Sequence, residues 1–96
     1  MEKARTTLIS ILEKNELTAG LSVRVHGDHL ILAHREDTPG GVEEVENIRL
    51  TRLRSSTYGL SVRRHNGRWE RTPFSGSMKE TVQAVTDFMQ HLVVPY

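Results

Sequence analysis

The stretch Tyr58-Gly59-Leu60-Ser61-Val62-Arg63-Arg64-His65-Asn66-Gly67-Arg68-Trp69-Glu70-Arg71-Thr72-Pro73 decides how the rest of the chain is read. Tyr58, Leu60 and Val62 alternate with small or charged residues, which is the two-residue period of a half-buried strand. Asn66-Gly67 separates this run from a second one. That dipeptide is the strongest short hairpin signal, because a type I′ turn needs positive φ at both central positions. The expected register pairs His65 with Arg68, Arg64 with Trp69 and Arg63 with Glu70. It turns Tyr58, Leu60, Val62 and Trp69 toward the core. Arg63 then meets Glu70 as an ion pair across the strands, and Arg64 lies against Trp69 as a cation–π contact.

Upstream, Leu21 to His26 and His29 to His34 flank Gly27-Asp28, a Gly-first two-residue turn. In that register Val25 opposes Leu30 and Val23 opposes Leu32, placing four apolar side chains on one face. His26 opposes His29 on the other, beside Arg24 and Ile31. Residues 36–47 read as an acidic loop around Pro39-Gly40-Gly41, with Val42 to Glu46 already extended. A third strand covers 47–54. Ile48 and Leu50 share a face, and a bulge near Thr51-Arg52 would return Leu53 to the core. Ser55-Ser56-Thr57 makes the next turn, and strands 58–65 and 68–73 follow.

Two helices enclose this run. Across residues 3–14, Ala4, Leu8, Ile11 and Leu12 form one apolar stripe, with Asn15 and Gly20 ending it. Ser77-Met78-Lys79-Glu80 is a capping box opening the last helix. Met78, Val82, Val85, Met89 and Leu92 recur at spacings of four and three, with Phe88 beside them and Pro95 as the stop. The expected architecture is α+β, in one domain spanning residues 1–96. It is a five-stranded antiparallel β-meander with N- and C-terminal helices packed on one face (α-β-β-β-β-β-α). The element order resembles that of double-stranded-RNA-binding domains, which have three strands. The lysine cluster those domains carry at the start of the last helix has only Lys79 here, and no residue is carried over.

Charge is the second signal. Net charge is only +1, but its distribution is lopsided. Glu36, Asp37, Glu43, Glu44 and Glu46 crowd one segment without a base, whereas seven arginines and one acid, Glu70, lie between Arg49 and Arg71. Such asymmetry steers an anionic partner to one face. Arginine forks bind phosphate bidentately. The sheet face left free by the helices is expected to be polar and mostly cationic, and to bind nucleic acid through phosphate contacts. The residues expected to carry this are Arg49, Arg63, His65 and Arg68, with Arg24, Arg52, Arg54 and Arg71 next. With Trp69 read as buried, little sequence reading is expected.

Two alternatives come from the same features. One is an interaction or regulatory module, a homodimer or a binder of an acidic protein, in which acidic 36–46 meets basic strands. The other is a metal-independent ribonuclease of the toxin kind, with His65 as base and Arg63 or Arg68 on the phosphate. A non-enzymatic binding protein remains the principal expectation. The chain has no cysteine, which excludes disulfides and thiolate catalysis. His26 and His29 make too small a set for a structural zinc site, so no metal or cofactor is expected. No apolar run approaches a membrane span, and a soluble, cytoplasmic protein is expected.

Overall fold

A computed structural model describes residues 1–92. One antiparallel sheet has its five strands in chain order. These are β1 (Ser22–His26), β2 (His29–Thr38), β3 (Gly41–Arg54), β4 (Thr57–Arg63) and β5 (Trp69–Gly76). Helix α1 (Glu2–Leu12) precedes the sheet, and α2 (Met78–Phe88) with a 3-10 turn, Gln90–Leu92, follows it. Both helices lie on the same face. Leu8 and Leu12 of α1 share one buried cluster with Val82 and Val85 of α2 and with Leu30, Leu32, Ile48, Leu50 and Leu60 of the sheet. The expected α+β meander with both helices on one side is the observed fold.

Local chemistry accounts for the elements. The Gly27-Asp28 turn sets His26 opposite His29, so the β1–β2 register is the one expected. Ser77 accepts from Glu80 N at 3.1 Å while Glu80 returns a bond to Ser77 N at 3.0 Å, completing the capping box. Those bonds hold the Glu80 carboxyl below its ordinary pKa. At the end of α1 the expectation is only half met. Among the described residues only glycines have positive φ, and Asn15 acts instead through its side chain, accepting from Leu17 N at 2.9 Å. Arg5 Nε donates to Val23 O at 2.9 Å and fastens α1 to the edge strand. The regular helix of α2 ends at Phe88, earlier than the apolar stripe implied; Pro95 lies outside the described residues. Phe88 is 66% exposed and stacks on Phe74 of β5 at 5.4 Å.

Three expectations about the sheet are corrected. First, 36–47 is not a loop. β2 and β3 stay paired up to Thr38 and Gly41, so five rungs from His34–Val45 to Thr38–Gly41 project beyond the neighbouring strands as a two-stranded ribbon. β1 reaches only Ala33 and β4 only Ile48. Second, the bulge near the end of β3 falls between Arg52 and Arg54 rather than before Leu53. Arg52 therefore opposes core residue Tyr58 on the helix side, while Leu53 stays out and is 41% exposed.

Third, Asn66-Gly67 does not form a two-residue type I′ turn. Gly67 N donates to Arg64 O and Arg64 N donates to Arg68 O, both at 2.8 Å. Only Gly67 has positive φ, at 83°. This is a three-residue loop, a type I turn closed by a left-handed glycine. Arg68 N donates to Asn66 Oδ1 at 3.0 Å, which steadies the right-handed form at Asn66. The extra residue slips β5 by one position, and a one-residue slip moves every side chain to the opposite face. Arg63 now opposes Trp69, Val62 opposes Glu70 and Ser61 opposes Arg71. Glu70 pairs with Arg64 at 2.9 Å rather than with Arg63.

Candidate functional site

Neither helix covers the second face of the sheet. Its central row runs Arg24, Ile31, Arg49, Ser61, Arg71 across the five strands. A neighbouring row holds Arg63 and Trp69. Ile31 and Ser61 are only 4% exposed, although neither α1 nor α2 packs there. Long side chains lying flat over the sheet screen them, as the stems of arginines do.

Trp69 is the centre of this arrangement. The guanidinium carbon of Arg49 lies 4.8 Å from its ring centroid and that of Arg63 lies 6.0 Å away. The two cation–π contacts use Arg49 and Arg63, not Arg64 as the alternation implied. Each contributes about 0.5–1 kcal/mol at a site open to water. Arg49 Nε is buried without a hydrogen-bond partner among the described residues. Arg71 reaches across from β5 over Gly59. A methyl group at Gly59 would come within 3.0 Å of Arg71 Nη2 and 3.3 Å of Leu53 Cδ1. The missing side chain at Gly59 is thus what lets Arg71 lie against the sheet.

The other sequence-predicted residues are placed as follows. Arg24 is on the face but engaged, with Nε 2.9 Å and Nη2 3.1 Å from the two Glu46 carboxylate oxygens. That pair lowers the Glu46 pKa and raises that of Arg24. His65 and Arg68 sit at the β4–β5 loop, exposed, rather than on the sheet face. Arg54 is exposed at the end of β3. Arg52 is on the helix side. The face therefore brings together Arg24, Arg49, Arg63 and Arg71 of the eight, with Glu46 as its carboxylate. It adds Trp69 and Gly59, which sequence reasoning had assigned elsewhere or passed over.

Two histidines, His26 and His29, lie beside the arginines on this face. His26 and His29 stack with ring centroids 6.4 Å apart. His29 Nδ1 is 2.8 Å from Thr51 Oγ1. Partial burial, then Arg49 and His26, push the His29 pKa down against a smaller opposing effect of Asp28. His34 points to the helix side, where its Nε2 lies 2.9 Å from Glu36 Oε1. Among the described residues no three His, Asp or Glu side chains converge as a metal site would need. None of the described helices is long and apolar enough to cross a membrane.

Comparison with protein-family models, curated proteins and solved structures finds no match to this chain.

Proposed function

We propose that this protein binds single-stranded nucleic acid on the open sheet face, without catalysing a reaction on it. The observation that carries the reading is Trp69 flanked by Arg49 and Arg63, with Arg71 beside them, on a sheet surface that no helix covers. Sheets that hold single strands combine a cationic track for the backbone with an aromatic ring on which a base stacks. A ring on the outside supplies the component that strand alternation alone had put in the core. Arginine suits this role because its planar fork both pairs with phosphate and stacks. Single strands are favoured over duplex because a flat stacking platform needs an unpaired base.

Fluorescence-anisotropy titration of labelled single- and double-stranded oligonucleotides at several salt concentrations tests this. Log affinity for the single strand should fall against log salt with a slope of about −0.7 per neutralised phosphate. Replacing Arg63 and Arg71 with alanine should flatten that slope by about 1.4 if each meets one phosphate. Affinity that ignores salt, or a double variant with an unchanged slope, would remove the basis for the proposal.

A further inference from the structure

On the helix side, opposite the arginine face, a groove of about 450 Å³ lies between α1, the start of α2 and the β3–β4 turn. Three cationic side chains line it from three separate elements: Lys3 of α1, Arg52 of β3 and Lys79 of α2. Ile11, Tyr58 and Met78 give it an apolar wall, and Ser55 and Ser56 supply hydroxyls. Among the described residues no carboxylate lines it. The acids nearest in sequence are engaged: Glu80 closes the capping box and Glu2 lies 3.9 Å from Arg5.

This placement is unfavourable as it stands. Three like charges around one groove repel one another. Lys3 and Lys79 both sit in the first turn of a helix, where the helix dipole opposes a cation. Arg52 is turned to the core side of the sheet, and its Nε is buried with no partner among the described residues. An anion held by Lys3, Lys79 and the outer nitrogens of that guanidinium would offset the mutual repulsion and the helix-dipole cost. A dianion with several acceptor oxygens matches three donors and two hydroxyls better than a carboxylate does. The apolar wall then calls for a carbon skeleton attached to it.

We infer that this groove binds a small phosphate monoester carrying an apolar group. Its phosphate is held by Lys3, Arg52 and Lys79, and its carbon chain lies on Ile11, Tyr58 and Met78. The site is on the opposite side of the sheet from the proposed nucleic-acid surface, so the two readings stand or fall separately.

Amide chemical-shift titrations of the full chain with hexyl phosphate, inorganic phosphate and hexanoate provide the test. Hexyl phosphate should shift the Ser56, Met78 and Lys79 amides saturably, with a dissociation constant of about 1 mM or tighter. Inorganic phosphate and hexanoate should each bind at least about tenfold more weakly. The double variant Lys3→Gln/Lys79→Gln, both at exposed positions, should lose at least about tenfold in affinity while keeping its circular-dichroism spectrum. Arg52→Gln should do the same; should it not fold, the lysine double variant decides alone. Absent or scattered shifts, equal binding of inorganic phosphate, or an unaffected double variant would overturn the inference. Co-sedimentation with phosphatidate vesicles that the double variant abolishes, without saturable hexyl phosphate binding, would also overturn it and reassign the groove to a membrane headgroup.

Discussion

Trp69 is half-buried opposite Arg63 and lies outside the buried cluster, so its ring is open to stacking rather than spent in the core. Under the proposed function, Trp69→Ala should weaken single-strand binding by about 1–3 kcal/mol, the worth of one stacked base. Anisotropy titration measures this directly, and an unchanged affinity would mean that no base stacks there. His29 adds a pH response. Its folded pKa lies below the ordinary imidazole value of about 6.5. The unfolded chain therefore takes up this proton first as the solution is acidified. The stability tied to neutral His29 is fully present above about pH 6.5 and is lost as pH falls through that value and on through the lower folded one. Polyanion binding responds with the opposite sign, because a protonated His29 adds a cation beside Arg49. Acidification from about pH 7.5 to about pH 5.5 should lower the urea midpoint and tighten oligonucleotide binding, and His29→Gln should shrink both changes. His26, Asp28 and Glu46 also stand near this surface, so the difference between wild type and variant, not the raw trend, isolates His29.

At the scale of elements, the β4–β5 loop decides which residues work. Gly67 holds φ at 83° with open space where a side chain would go, so Gly67→Ala meets a backbone cost and no clash. That cost is about 1–2 kcal/mol and should appear as a lower thermal midpoint. A neutral substitution would mean that the left-handed position lies elsewhere in the loop. The same loop shows how much of the fold was legible. β1–β2 could be read because Val23, Val25, Leu30 and Leu32 are all apolar while the opposite face sets Arg24, His26 and His29 around Ile31, which leaves one workable register. β5 has no such contrast. Trp69 is the one large apolar residue among Trp69-Glu70-Arg71-Thr72, and alternation alone implies the parity that buries it. His65-Asn66-Gly67 fits a three-residue loop as well as Asn66-Gly67 fits a two-residue one, and only the length of the loop distinguishes the two faces. Phe74, further along β5, was the missing signal, since it packs against the core from the helix side. Part of the candidate site was legible too: Arg24, Arg49 and Arg63 were placed correctly on the open face. Arg71, also named for that face, reaches it only through the slip of β5, and the same slip misplaced Arg68 and Trp69. Leu53 and Arg52 exchanged faces for a related reason, because moving a bulge by one residue costs little that a single sequence reveals.

For the whole molecule, the charge separation seen in the sequence is kept only in part: Glu46 pairs with Arg24 on the arginine face, whereas Glu36, Asp37 and Glu43 lie out along the ribbon. The ribbon carrying Glu36, Asp37, Glu43 and Glu44 helps to stretch the protein to 42 Å along its longest axis, and none of these residues belongs to the buried cluster. Replacing residues 36–43 with a two-residue turn should lower the thermal midpoint by about 4–8 °C, a loss of about 1 kcal/mol that comes from taking the Glu36 partner from buried His34. It removes Glu36, Asp37 and Glu43, so oligonucleotide association should quicken at low salt and converge with wild type at high salt. Stopped-flow association rates at two ionic strengths would check this. Equal rates at low salt would mean that the ribbon does not influence the approach of a polyanion.

The ribbon has a further implication. Among the described residues, the two strands beyond Ala33 and Ile48 have each other but no outer strand neighbours, so backbone amides and carbonyls line both rims. Another copy of the chain offers the same rims. Glu36 and Glu43 already face each other across the ribbon, and docking a twin alongside would gather still more carboxylates into one row. The acids at this end of the protein thereby guard it against recruiting itself into an extended fibre.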